Sequence, residues 1–170
     1  MLYFKSIRWK NLLSTGNQFT EIQLDKISTT LIVGENGSGK STVLDALCFG
    51  LFSKPFRRIN RPQLINSIND GGLLVEIDFE VGSKSYMVRR GIKKNIFEIF
   101  IDGKRLNQDA KTADQQEYLE KTILKLNYKS FTQIVLLGAN HYIPIMQLKS
   151  TDRRTIIEDL LDIQIFSVMN

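Results

Sequence analysis

A nine-residue run, GENGSGKST at positions 34–42, constrains this chain more than any other feature, because it dictates a backbone shape as well as a composition. The apolar run Leu31-Ile32-Val33 stands directly before it, and Val43-Leu44-Asp45-Ala46-Leu47 follows with helical spacing. A tight loop between a strand and a helix, with glycines where backbone N–H groups must converge, is built to grip polyphosphate oxygens. The helix opening near Lys40 adds the positive end of its dipole. In that arrangement Gly34, Glu35, Asn36, Gly37, Ser38 and Gly39 form the cradle. Lys40 reaches the β- and γ-phosphates of a nucleoside triphosphate, Ser41 is a ligand for a bridging Mg2+, and Thr42 contacts the α-phosphate.

With 170 residues, 42% of them hydrophobic, the chain has material for one domain with a proper core. No apolar run reaches membrane-spanning length and the opening MLYFKSIRWK is no signal peptide, so a cytoplasmic, membrane-free protein is expected. The single cysteine, Cys48, excludes an intramolecular disulfide and a cysteine-based metal site, and the single histidine, His141, builds no metal cluster. The net charge of +5 is modest, so its distribution carries more meaning than its sum. Positive charge gathers in Lys54, Arg57, Arg58 and Arg61 and again in Arg89, Arg90, Lys93 and Lys94, with neither cluster overlapping the phosphate loop in sequence. Contact with the phosphates of double-stranded DNA is one reading of these patches, and ordinary solvated loop charge is the other.

Along the chain, strands are expected over residues 2–9 and 19–24, around a polar turn at 14–17, and a short buried strand over 29–33 feeds the phosphate loop. The next helix runs to about Phe52, where Pro55 ends it. Residues 53–72, punctuated by Pro55, Pro62 and Gly71-Gly72, leave room for no more than a short helical turn. From 73 to 106 the period is two: Val75, Ile77 and Phe79 alternate with Glu76, Asp78 and Glu80, and Asp102-Gly103 marks a hairpin. An antiparallel meander is therefore expected. A helix capped by Thr112 follows over 112–126, then a β-leaning stretch over 131–137. A last helix starts at Ser150 or Thr151 and carries Ile156, Ile157, Leu160, Leu161 and Ile163 with no stop signal, so it is expected to continue past residue 170.

Hydrolysis at a phosphate loop needs an acidic magnesium ligand at the end of a second strand. Two segments imitate one. Glu76 and Asp78 lie on a strictly alternating run that suits a half-exposed strand, and Glu158-Asp159 lie on a helical pattern. Both read as structural, so the catalytic half is expected to lie outside this chain.

Taken together, Lys10-Asn11-x-x-Ser14, LIVGENGSGKSTVLDAL, FGLFSKPFR, SFTQIVLLG at 130–138 and Arg153-Arg154-x-x-x-Glu158-Asp159-Leu160-Leu161 resemble the N-terminal ATPase lobe of the SMC-like DNA-repair ATPases, in particular the branch of the phage recombination endonucleases. The resemblance covers the whole chain. It implies an α/β P-loop NTPase fold, the N-terminal lobe of an ABC-type head over 1–149, with 150–170 leading toward a coiled coil. It also implies ATP and Mg2+ as ligands, and a second copy of the head, a partner nuclease and double-stranded DNA as partners. In such proteins the lobe binds ATP and hydrolyses it only with the C-terminal lobe and a second head. Many relatives carry an arginine where this chain has Leu13, so Ser14 alone transfers to the nucleotide. They also carry a glutamine sensor where this chain has Ala139, leaving Asn140 or His141 to act on the metal through a water. Two other readings compete: the ATPase subunit of a membrane transporter, which would show its signature segment and acidic pair within this length, and a module whose dimerisation is controlled by nucleotide without hydrolysis.

Overall fold

A computed structural model describes residues 2–69, 71–106, 112–136 and 143–161. The chain divides into two compact units, 1–112 and 113–170.

The first unit is a six-stranded antiparallel sheet with one helix laid on a face. Its strands are β1 (Leu2–Lys10), β2 (Thr20–Gln23), β3 (Leu74–Val81), β4 (Lys84–Gly91), β5 (Phe97–Ile101) and β6 (Lys104–Arg105), in the order β2-β1-β3-β4-β5-β6. The expected meander is present, and the N-terminal hairpin joins its edge. Register puts side chains into rows: Ile7 faces Ile77, Ile77 faces Val88, and Val88 faces Ile99, all four fully buried. The opposite face carries a charged row in which Arg8 faces Glu76, Glu76 faces Arg89, and Arg89 faces Glu98. Glu76 is ion-paired to both arginines there, so this first imitation of a catalytic acid is a cross-strand brace.

Helix α1 (Thr42–Phe52) packs on the apolar face, and ten of its eleven residues are buried rather than a single stripe. It approaches the sheet closely at Gly50, where a Cβ would lie 2.5 Å from Ile77 Cδ1. The helix starts two residues later than the sequence suggests. It ends at Ser53, which adopts φ 61 and donates its backbone N–H to Phe49 O, ahead of Pro55. Burial, with Asp45 adding to it, pushes the Cys48 thiol up, and the side chain is fully buried core. Among the described residues between α1 and β3, a four-residue 3-10 turn, Arg61–Leu64, is the one short helical piece.

Residues 29–33 form no strand. Leu31 is 84% and Val33 78% exposed, which corrects the expectation of a buried strand. A strand of that all-apolar kind needs hydrogen-bonded neighbours and cover on both faces, and the six-stranded sheet supplies neither.

The second unit is helical. Helix α2 (Thr112–Glu117) widens without interruption into π-helical geometry over Tyr118–Leu124 and closes at Lys125, φ 54. Helix α3 (Tyr128–Ile134) stands where a β-leaning stretch was expected. Asn127 decides the matter: its Oδ1 accepts from Lys129 N and Ser130 N, capping the helix, while its Nδ2 donates to Asp159 Oδ2 at 2.6 Å. Ser130 Oγ donates to the same carboxylate. Asp159 therefore anchors α3 to α4 (Ser150–Leu161), confirming that the second acidic imitation is structural. Of the apolar residues expected along α4, Ile156 is buried, whereas Ile157 and Leu161 are about half exposed. The Leu160 side chain and Ile163 lie outside the described residues.

Candidate functional site

The phosphate loop keeps the shape its glycines require. Gly37 and Gly39 adopt φ of +88 and +90, and a Cβ on Gly34 would meet Ser38 Oγ at 2.6 Å. Ser38 N donates to Glu35 O and Thr42 N to Gly39 O, so the loop turns into α1 through its own backbone bonds. Ser41 stands at the helix N-cap and makes no side-chain capping bond. Its hydroxyl is thus not committed to the helix terminus, which suits a metal ligand. Lys40 Nζ donates to Gly34 O at 2.6 Å and Glu35 O at 2.7 Å, which holds the ammonium over the loop.

These residues border a cavity of about 440 Å3. Asn36, Gly37, Gly39, Lys40, Ser41 and Thr42 form one wall, and Leu13 and Ser14 another. Arg57 completes it. The sequence separated Arg57 from the phosphate loop, and the structure corrects that: buried Asp45, on the first turn of α1, accepts the backbone N–H of Phe56 and of Arg57 through Oδ1. Arg57 Nε lies 2.6 Å from Asp45 Oδ2. One carboxylate therefore folds the loop after α1 back on its own helix and presents the guanidinium at the cavity rim. Periodicity gave no signal for this, because the link is a helix side chain gripping backbone 11 residues ahead.

A second cavity of about 700 Å3 shares Leu13 and Ser14 with the first. Its other walls are Pro62, Gln63, Ile65, Asn66, Ser67 and Ile68, from the loop that the sequence marked only by its asparagines and prolines. Leu13 sits at φ 53 and donates its N–H to Leu64 O at 2.7 Å, while Leu12 bridges to Ile65, so turn and loop pair like a fragment of sheet.

Of the other expected contacts, Lys54, Arg58, Arg61, Lys93 and Lys94 are exposed. Arg89 is held by Glu76 and Glu98. Arg90 is 3% exposed and belongs to the core, so its assignment to a DNA surface is withdrawn. Ala139, Asn140 and His141 lie outside the described residues. Among the described residues no cluster of metal-ligating side chains occurs, and no helix is long and apolar enough to cross a membrane.

The model of the AAA domain matches residues 6–165. The chain belongs to the AAA-domain family. Its curated relatives include phage exonuclease subunits and Rad50 ATPases. It is 48% identical over 164 residues to exonuclease subunit 2 of Escherichia phage RB69, a match covering 96% of this chain and 29% of that protein. It is 29% identical to the DNA double-strand break repair Rad50 ATPase of Thermoplasma volcanium, across 95% of this chain and 18% of the relative. The head domain of Smc from Pyrococcus yayanosii, solved with a coiled coil and joint, superposes with a TM-score of 0.69 at 20% identity, over 99% of this chain and 34% of that one. That likeness carries the fold, the P-loop NTPase head expected from the sequence. The chain spans less than a third of the length of these two relatives.

Proposed function

We propose that this SMC-like chain is the ATP-binding lobe of an ATPase that regulates a partner nuclease in DNA recombination and double-strand-break processing. One observation carries the nucleotide reading: the positive-φ glycines, Lys40, Ser41 and Arg57 all border a single cavity of about 440 Å3 at the start of α1. Backbone amides and the helix terminus would receive the phosphates, Lys40 and Arg57 would neutralise them, and Ser41 would hold Mg2+. When bound, Mg2+ would supply Lewis-acid charge to the triphosphate. The adjoining cavity of about 700 Å3 is roomy enough for base and ribose, and Ser14 lies on the boundary between the two.

Hydrolysis would require a second lobe bringing the acidic ligand. The exposed Leu31, Ile32 and Val33 favour this reading, because a partner strand laid against them would place its end beside the phosphate loop. Exposed Ile157 and Leu161 on α4 likewise suit packing against a partner helix, as in a coiled coil. Head dimerisation is carried over from the family resemblance, and the partner nuclease from a relative that is named an exonuclease subunit. Calorimetric titration of the chain with a non-hydrolysable ATP analogue and Mg2+ tests the nucleotide reading directly. Saturable binding is expected, and an absence of heat at millimolar analogue would end it.

Contact with duplex DNA is proposed for exposed Lys54, Arg58 and Arg61, with Arg57 reassigned to the nucleotide. Reversing the charge of Arg58 and Arg61 in a full-length, dimer-competent protein should weaken duplex binding and lower the slope of log affinity against log salt by about two. A slope and affinity unmoved by both changes, measured by fluorescence anisotropy, would remove this patch from the DNA surface.

A further inference from the structure

We infer that Asn11 is a positioning residue of the nucleotide site, acting through the turn that carries Leu13 and Ser14. The inference rests on the nucleotide reading above. Asn11 borders neither cavity, yet it is 1% exposed and its side chain is fully engaged. Nδ2 donates to Asn17 Oδ1 at 3.0 Å and to Gly72 O at 3.3 Å, and Oδ1 accepts from Asn69 Nδ2 at 3.2 Å. Its backbone closes the turn by donating to Gly16 O and accepts from Asn66 N. A Cβ on Gly71 would lie 2.6 Å from Nδ2, so the fit is tight on that side as well.

One amide thus ties three chain segments together: the 11–17 turn, the 66–69 loop and Gly72 in the approach to β3. The turn it holds is strained at Leu13, whose φ of 53 is unfavourable to a branched apolar side chain, while Asn11, also at φ 53, is of a type that accepts this region. Through Asn66 N and Asn69 Nδ2, Asn11 links the two segments that supply the walls of the larger cavity. The phosphate cradle does not depend on it, because that loop closes through its own bonds, from Ser38 N to Glu35 O, from Thr42 N to Gly39 O and from Lys40 Nζ to Gly34 O and Glu35 O. Losing the amide should therefore loosen the grip on base and ribose while leaving the grip on phosphates unchanged. Uniform destabilisation of the fold would not produce that selectivity.

The test compares the full chain's affinity for ATP with that for inorganic tripolyphosphate, each with Mg2+. Asn11→Ala is expected to lower the ATP-to-tripolyphosphate affinity ratio about tenfold, with tripolyphosphate affinity itself changing less than about twofold. Should Asn11→Ala fail to fold, Asn69→Ala removes one hydrogen bond from the same amide at an exposed position and should lower the ratio about threefold. An unchanged ratio in the folded variant, or an equal fall for both ligands, would overturn the positioning role. Failure of the unaltered chain to bind either ligand would instead overturn the nucleotide reading itself.

Discussion

Replacing Lys40 by alanine should weaken binding of an ATP analogue by about 100-fold or more, while the melting temperature of the chain stays close to that of the unaltered protein. The expectation follows from where the ammonium is held. Nζ bonds to Gly34 O and Glu35 O at the lip of the cavity, so it lies beside the phosphate cradle before any ligand arrives, and a polyphosphate would compete with those carbonyls for its N–H donors. A charge-assisted bond to a phosphate contributes about 1.5–3 kcal/mol, and Lys40 has three donors to give. In the folded chain its bonds are exposed ones, and substitutions at such places change stability by about 0.5 kcal/mol at most. Affinity and stability should consequently separate cleanly in one variant. Calorimetry showing unaltered affinity for the analogue would mean that the cavity bordered by Lys40 is not where triphosphate binds.

Arg57→Ala provides the contrast that locates the rest of the charge, because it alters the cavity rim without touching the cradle. Its position was invisible in the sequence for a physical reason. The basic run after Pro55 reads as surface charge, and the contacts of Asp45 with Phe56 N, Arg57 N and the Arg57 guanidinium fold it back onto the phosphate loop. What the sequence does disclose is whatever depends on local chemistry. The glycines at 37 and 39 demand positive φ, Asp102-Gly103 demands a hairpin turn, and the alternation from Leu73 onward demands a sheet with one apolar face. Residues 29–33 show the limit: their composition encodes a strand between two neighbours, and composition cannot say whether the neighbours are present. Residues 131–134 show another limit. Phe131, Thr132 and Ile134 favour a strand by type, but an asparagine four residues before Phe131 caps a helix and a carboxylate at 159 fixes the cap. The loop lining the larger cavity was legible only as a loop, since what makes it a wall is its pairing with Leu12 and Leu13 more than fifty residues earlier.

The largest loss of stability is expected from a residue that looks like surface charge. Arg90 stands in an apolar row of the sheet, facing Val75 on one neighbour and Phe97 on the other. Its guanidinium lies 3.7 Å from the centroid of the Phe97 ring. From there Nε donates to Gly50 O at 2.8 Å and Nη2 to Leu51 O at 3.4 Å. Those carbonyls belong to the last turn of α1, where the helix dipole is negative and the helix itself supplies no basic side chain. Arg90 thus carries out from the sheet the compensation that a lysine in the final turn would ordinarily provide, and it joins the nucleotide-binding helix to the meander. Arg90→Glu would set a carboxylate against two carbonyl oxygens in a buried site, a change costing on the order of 4 kcal/mol. In a chain of this size that corresponds to a fall in melting temperature on the order of 10 °C, readable by circular dichroism. Arg90→Lys should fall between, because it keeps the charge and gives up the planar stacking and the forked donors. Reversal of exposed Arg58 or Arg61 should leave the melting curve within about 0.5 kcal/mol of the starting protein. Were Arg90→Glu to melt like the unaltered chain and lose only DNA affinity, the guanidinium would belong to the outer surface and the account of how α1 is fastened to the sheet would have to be abandoned.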